Sequence, residues 1–530
     1  MLNQELLCLY YTVPGRKRHP IFRKSPRKCC LVSTFCRHLS HFSVKHLLIL
    51  RIVTPTPPCY TTAASFPQGS KGDALPMSNT RSINMTSGSL WKNIFFFSIP
   101  LMFSQILEVL FNLSDVAIAG KFAGYHALGS VGSTTLLVSL FTGFLLGMGS
   151  GVNVRTAHEL GVGDREAISN TIHTSLILCT LMGLLVCFAC LFFASPMLKL
   201  LGTKDELMDG AVTYLKIYAL GMPAMGIYNC GNGILSACGD TRRPLYYLTI
   251  AGILNVILNL FFVIVCHMAA AGVAVASAIS QYLSAVLILR NLLRRKDACR
   301  IHPKQLRLHP AAIRAVLFIG IPTGIQNALF AIANLFVQSG VNSFDAVMVS
   351  GNAAAANADT LIYNVMAAFH TACASFVSRN LGAGNWNRMM KSYLISLTYS
   401  FLSGALLGGL LLIFGRQFLS LFANESSVID AGMERLQIMG WCYCVSAFMD
   451  CTIAASRGIG KSIPPTVIVI MGSCVFRIIW VYTIFAYFRT IPSLYLLYIF
   501  SWAITAAAEI IYFLVSYRKL MRSTAAHLAA

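Results

Sequence analysis

The chain has 530 residues, 56% hydrophobic and only 11% charged, with a mean hydropathy of +0.67. Soluble domains carry about 25% charged residues, so this composition excludes an ordinary soluble fold and leaves room for about twelve membrane spans of ~20 residues. The net charge of +22 sits largely in the N-terminal segment and in short loops, without the aromatic–basic interleaving of a nucleic-acid surface, so no nucleic-acid partner is expected.

Residues 1–85 form a basic, low-structure N-terminal extension. Twelve Lys/Arg in residues 1–84 face only Glu5 and Asp73, and the run Arg16-Lys17-Arg18 through Arg27-Lys28 cannot enter a bilayer. The apolar stretch 47–53 is too short to span, Arg51 interrupts it, and no secretory signal fits. Two readings stand: a transit-like extension, or an upstream over-extension with Met85 as the true start.

From Trp91 onward apolar runs recur with short polar breaks. They predict helices over 91–119, 127–156, 168–194, 211–237, 244–266, 271–292, 313–341, 352–378, 391–414, 432–456, 464–487 and 493–516. The expected fold is an all-α membrane protein, with an N-lobe over 86–292, a linker over 293–312 and a C-lobe with a short basic tail over 313–530.

A charged side chain at mid-bilayer costs about 2.5–3.5 kcal/mol on insertion scales, so each one needs a reason. The first helix carries Gln105, Glu108, Asn112 and Asp115 at spacings of three or four, which places all four on one face. That face cannot meet lipid. It serves either interhelical hydrogen bonds or a wet cavity with a titratable or cation-binding carboxylate. Cys187 and Cys190 form a CxxC inside the third span, with no partner pair. They read as small apolar packing residues, and the 17 scattered cysteines imply neither zinc nor a disulfide framework. Asn255 and Asn259 share a face of the fifth helix, and Ser277 in the sixth adds a hydroxyl. With Asp115 they supply a carboxylate, two amide oxygens and a hydroxyl, a donor set for a hard cation such as Na⁺, while the carboxylate alone suits a proton.

The seventh helix carries Gln326, Asn327, Asn334 and Gln338, a second amide-rich lining. Later spans hold Asp359 and His370, then Asp450, Arg477 and Glu509. Asp450 is the expected second-half carboxylate of the cleft. Arg477 is expected to pair with a carboxylate, and His370 to be packed or hydrogen-bonded.

Basic residues cluster in alternate breaks: Arg155 and Arg165; Arg242 and Arg243; six between Arg294 and Arg307; Arg379, Arg388 and Lys391; Arg457 and Lys461. By the positive-inside rule both ends and the linker are cytoplasmic, in a multi-pass protein of the cell membrane. The chain also repeats itself. Ile99-Pro100 recurs as Ile321-Pro322; Leu160-Gly-Val-Gly-Asp164 as Leu381-Gly-Ala-Gly-Asn385; and Gly239 with Pro244 as Gly460 with Pro465. The offsets are 221 or 222 (322−100 = 222), six spans, so the halves are parallel repeats with a substrate cleft expected between them.

In these residues the chain resembles the multidrug and toxic compound extrusion family, the bacterial multidrug efflux antiporters of NorM and DinF type. The resemblance covers about 90–520. It rests on Ile99-Pro100, Asn112-Leu-Ser-Asp115-Val-Ala-Ile-Ala-Gly120, Leu160-Gly-Val-Gly-Asp164, Gly239-Asp-Thr-Arg-Arg-Pro244, Ile253-Leu-Asn-Val-Ile-Leu-Asn259, Asn380-Leu-Gly-Ala-Gly384 and Arg457-Gly-Ile-Gly-Lys461. It implies twelve helices in two six-helix lobes. It also implies export of organic cations or xenobiotics against inward Na⁺ or H⁺, by alternating access and with no cofactor. Asp115 matches the family's first-helix acid implicated in cation coupling, and Asn255 an asparagine of the same site. Asn259 stands where many members have aspartate, and Ser277 where many have threonine. The Na⁺ branch has a seventh-helix glutamate where this chain has Phe330, and its tenth-helix aspartate falls near Ser446, a turn from Asp450. The coupling ion stays open. The partners expected are small organic cations and membrane lipid, with the protein acting as a monomer. A flippase for lipid-linked oligosaccharide or peptidoglycan precursors is the alternative, and it would call for a cationic cleft. No nucleophile–base set, HExxH or P-loop marks an enzyme, and no filter-like segment marks a channel.

Overall fold

The computed structural model describes residues 82–529, with side chains to residue 523. The expectation for the basic extension falls on 1–81 and lies outside the described residues. The described residues belong to one compact unit and contain helices but no strand.

α1 runs over Leu90–Val162, 73 residues, and is interrupted at Gly124 (φ 83°, ψ −179°), a conformation that only glycine adopts without strain. The break divides it into the first two expected spans. The Leu160-Gly-Val-Gly-Asp164 motif is turn chemistry. Gly163 closes α1 in the left-handed region (φ 87°), and the Asp164 carboxylate accepts from the N–H groups of Glu166 and Ala167 (2.9 and 3.1 Å) to start α2, Arg165–Leu200. In its repeat Gly384 is again left-handed (φ 70°), but Asn385 precedes the helix Trp386–Leu419 without a side-chain cap hydrogen bond.

The fourth span differs from expectation. Instead of one helix over 211–237 there are two, α3 (Asp205–Ala219) and α4 (Met222–Ala237). Pro223, in the first turn of α4, lacks the N–H that would continue α3. Gly221 lets Gln281 approach so closely that a Cβ there would lie 2.0 Å from its Oε1. The chain continues through α5 (Arg242–Val265), α6 (Ala269–Arg294), α7 (Pro310–Val341), α8 (Ala346–Gly382), α9 (Trp386–Leu419), α10 (Ser426–Gly458), α11 (Ile463–Phe488) and α12 (Ile491–Ala529). Ten described helices are long and apolar enough to cross a membrane; α1 crosses twice, and α3 with α4 completes the twelfth span. The repeat extends to irregularities: α5 ends in a π-helical stretch at Phe261–Val265, and α11 contains one at Val481–Phe485. Outward faces are apolar, as at Leu185 and Phe192 of α2, which suits lipid rather than water.

The two halves meet along a seam of small residues at the end that carries the basic loops. A Cβ on Gly147 would lie 2.4 Å from Gly324 N, on Gly151 2.8 Å from Gly320 N, on Gly161 2.3 Å from Arg379 O, and on Gly382 2.2 Å from His158 O. Backbones this close require glycine on both sides. Polar contacts join the same seam. Ser375 Oγ donates to Asn153 Oδ1 (2.8 Å), Ser378 Oγ to Val154 O (2.7 Å) and Asn327 Nδ2 to Gly143 O (3.0 Å). The segment before α1 bridges both halves. Ile83 N donates to Gly239 O (3.0 Å), while Arg388 donates to the carbonyls of Met85, Gly88 and Ser87 (3.0, 2.9 and 2.8 Å).

Candidate cation and substrate site

Asp115, on α1, is buried against α5 and α6. Its Oδ1 accepts from Asn259 Nδ2 (2.5 Å) and its Oδ2 from Ser277 Oγ (2.9 Å). Asn255 closes the ring: its Nδ2 donates to Ser277 Oγ (3.2 Å), and its Oδ1 accepts from Asn259 Nδ2 (3.1 Å). The four residues singled out from the sequence therefore form one connected cluster. The four-residue spacing of Asn255 and Asn259 puts both amides on the side of α5 that faces α1.

The cluster is asymmetric in a chemically useful way. Asn259 and Ser277 donate to the carboxylate and no cation does, an arrangement that holds a negative charge by hydrogen bonds alone. Asn259 Oδ1 is buried with no partner. A buried acceptor left unmet costs about 1–3 kcal/mol, so rotation of this amide to present its oxygen beside the carboxylate would be rewarded by a cation. The donor set of one carboxylate, two amide oxygens and a hydroxyl fits Na⁺, and the carboxylate alone fits a proton.

Of the other first-helix polar residues, Glu108 and Asn112 are exposed and Gln105 is half-buried. Glu108 lies within electrostatic reach of Tyr218 and Tyr228, and Asp115 of Tyr214 and Tyr218. The polar face thus lies toward tyrosines of α3 and α4, of which Tyr214 and Tyr218 are buried in the apolar core of the first half. These three tyrosines carry no signal in the sequence, where an aromatic residue in an apolar span is indistinguishable from core.

In the second half the expected cleft lining separates into two groups. Asn334 is exposed and accepts from Arg477 of its own half, whereas Asn327 is half-buried and donates across the seam to Gly143 O. Gln338, half-buried, donates to Asn342 Oδ1 (2.8 Å). Gln326 and Asp450 do not line an open cleft. Gln326 is buried because its Oε1 takes a hydrogen bond from Arg457 (2.8 Å), and Asp450 is enclosed in α10 with Arg457 and Arg477 as electrostatic neighbours. Arg477 also departs from expectation. No carboxylate lies within 4.0 Å among the described residues; it donates to Asn334 Oδ1 (3.1 Å) and Ser501 Oγ (3.4 Å), and stacks over Tyr498 (4.5 Å), Phe330 (5.7 Å) and Trp502 (6.0 Å). Aromatic faces and neutral dipoles make its direct contacts, and Asp450 acts on it only from beyond ion-pair distance. His370 is hydrogen-bonded, to Ser400 (3.0 Å).

The sequence reading missed one network. Arg435 of α10 pairs with Asp359 of α8 and donates to Asn352. Asp359 also takes the Tyr443 hydroxyl, and Asn352 that of Tyr495. Arg435 falls near the start of the expected span 432–456, where a basic residue reads as a loop end, so only the fold, with its helix beginning at Ser426, reveals its burial.

Comparison with known proteins agrees with this architecture. The MatE family pattern matches twice, at residues 100–261 and 322–483, each copy beginning at a proline of the Ile-Pro repeat. A probable multidrug resistance protein, YpnP of Bacillus subtilis, is 26% identical over 363 residues, 68% of this chain and 81% of its own length. A probable multidrug resistance protein NorM of Thermotoga maritima is 22% identical over 417 residues, 75% and 86% of the two chains. A FAD transporter of Shewanella oneidensis is 22% identical over 342 residues, 63% and 74%. A structure described as the outward-facing conformation of a multidrug resistance transporter of this family superposes with a TM-score of 0.78 at 21% identity, covering 84% of this chain and 99% of that one. A Pyrococcus furiosus transporter of the MOP superfamily, described as having a binding pocket of reverse polarity, also matches at 0.78 and 22% identity, covering 83% and 99%. With the family pattern covering both halves, the chain belongs to the MatE family of multi-pass membrane transporters.

Proposed function

We propose that the protein is a cation-coupled exporter of small organic cations and other xenobiotics, working by alternating access. The connected Asp115–Asn255–Asn259–Ser277 cluster carries this reading: a buried carboxylate ringed by neutral donors, on the same helix face as the exposed Glu108. The coupling ion is Na⁺ or H⁺. With both termini and the basic loops cytoplasmic, the glycine seam closes the inner end, and the molecule stands open outward. Ion entry at Asp115 removes the carboxylate's need for the Asn259 and Ser277 donors. This frees α1 to repack about Pro100, and the halves rock apart at the seam. The transporter acts as a monomer in the cell membrane.

The flippase alternative predicts a cationic cleft. Here the open lining is Glu108, Asn112 and Asn334, while Arg477 is buried under aromatic rings. The test is efflux of a fluorescent organic cation such as ethidium from vesicles, under Na⁺ and proton gradients imposed separately. Export driven by one gradient supports the reading and names the ion. No gradient-driven export from correctly inserted protein would instead favour the flippase.

A further inference from the structure

Cys238, just after α4, and Cys299, in the linker, lie 61 residues apart in sequence, yet their sulfurs are in direct contact at 2.6 Å. Both sit at the basic-loop end of the molecule, outside the apolar spans. Cys238 is partly open, whereas Cys299 is 1% exposed. Two guanidiniums surround the pair. Arg295, held by Asp297 and Asp240, lies within electrostatic reach of both thiols, and Arg379 of α8 approaches from the other half with its Nε and Nη1 buried and unpartnered. Contact with Cys238 and burial hold the Cys299 thiol well above the ordinary thiol range. A second close pair, Cys179 and Cys230, is buried in the helical core, away from any aqueous oxidant.

We propose that Cys238 and Cys299 are a reversible dithiol–disulfide pair, a redox modification site that staples the interlobe linker to the α4–α5 turn. The oxidant is hydrogen peroxide. The partly open Cys238 sulfur attacks the peroxide, forming an S–O bond as the O–O bond breaks; sulfur is oxidised, and one water leaves. The Cys299 sulfur then attacks the sulfenic sulfur, forming S–S and breaking S–O, and its proton departs with the hydroxide as a second water. A small-molecule thiol reduces the bond. On the cytoplasmic side, disulfides are transient and regulatory rather than structural, which fits a partly exposed thiol with a buried resolving partner. The linker already lies on the first half, through Thr174 Oγ1 to Arg307 O (3.2 Å), His302 N to His173 Nε2 (2.8 Å) and His309 N to Thr174 Oγ1 (3.1 Å). The disulfide would make that attachment covalent at its near end.

The experiment maps thiols in the purified full chain. Samples are treated with hydrogen peroxide or with dithiothreitol, alkylated, digested and analysed by mass spectrometry. The proposal predicts a linked peptide joining 238 and 299 after peroxide, lost on reduction, with the Cys179 and Cys230 thiols unlinked. In Cys238→Ser, Cys299 should remain alkylatable. Backbone hydrogen exchange over 295–302 should slow on oxidation of the wild type and not of Cys238→Ser. If both thiols stay free, or Cys238 over-oxidises without linking, at a peroxide dose that oxidises the exposed Cys266, the pair is ordinary packing. If the link forms and linker exchange is unchanged, the staple is wrong.

Discussion

Gly382→Ala tests the glycine seam. The added Cβ would sit 2.2 Å from His158 O and 3.0 Å from Val162 N, both backbone atoms of the opposite half. Neither can swing aside as a flexible side chain would, so the halves must separate by about 1 Å to restore van der Waals distance. Overpacking of this kind costs about 1–3 kcal/mol, which multiplies the population of seam-open states by roughly 5–150. Apolar clusters such as Phe97 and Leu101 with Phe369 and Phe376 also span the two halves, so the cost falls on the interface between them. Spin labels at Glu166 and Asn387, exposed positions flanking the seam on opposite halves, would report it by electron–electron distance measurement in a background without reactive cysteines. The wild type should give a short, narrow distribution, and Gly382→Ala a longer second population. Gly384→Ala is the control. Its φ of +70° makes alanine costly by about 1–2 kcal/mol, but nothing lies within 4 Å of the added Cβ, so the distribution should not shift. A folded Gly382→Ala protein with the wild-type distribution would refute the claim that backbone contact holds the seam closed.

Three further outcomes follow from the same contacts. Arg435→Met leaves the Asp359 carboxylate without its cation in the core of the second half, a loss of about 3–5 kcal/mol that should appear as a marked drop in melting temperature, whereas the double variant with Asp359→Leu should recover much of it. Arg388→Ala removes three charge-assisted hydrogen bonds to the segment before α1, each worth about 1.5–3 kcal/mol at most and not additive; amide exchange over 83–90 should accelerate while α5 and α6 are unaffected. Asn259→Ala takes the donor from Asp115 Oδ1, so it should weaken coupling-ion dependence of transport and lower folding stability by about 1–3 kcal/mol, read as a drop in melting temperature.

The architecture was legible because its signals are local or periodic. Apolar runs mark spans, Gly163-Asp164 is a stop followed by a cap, and the repeat places Pro100 opposite Pro322. The cation cluster was legible because carboxylates and amides are expensive in lipid, so Asp115, Asn255 and Asn259 stand out against their surroundings. The failures share a different cause. The break at Gly221 depends on how closely Gln281 of α6 packs against it. The tyrosines near Glu108 and Asp115, Tyr214, Tyr218 and Tyr228, look like any buried aromatic set. Gln326 and Asp450 were assigned to the cleft because polarity within a span does not say which way a helix is rotated; Arg457, 131 residues from Gln326, decides it. Arg477 was expected to seek a carboxylate, but rings from α7 and α12 reach it first.

The measurement that bears most directly on the account is gradient-driven ethidium export by Asp115→Asn compared with wild type, in vesicles with matched amounts of inserted protein. A tenfold gradient of the coupling ion supplies about 1.4 kcal/mol, enough in one-for-one exchange to sustain about tenfold substrate accumulation. The account predicts that wild type approaches this ratio with either Na⁺ or H⁺, and that Asp115→Asn only equilibrates substrate across the membrane. Undiminished accumulation by the variant would contradict the assignment of coupling to Asp115 and to the cluster around it.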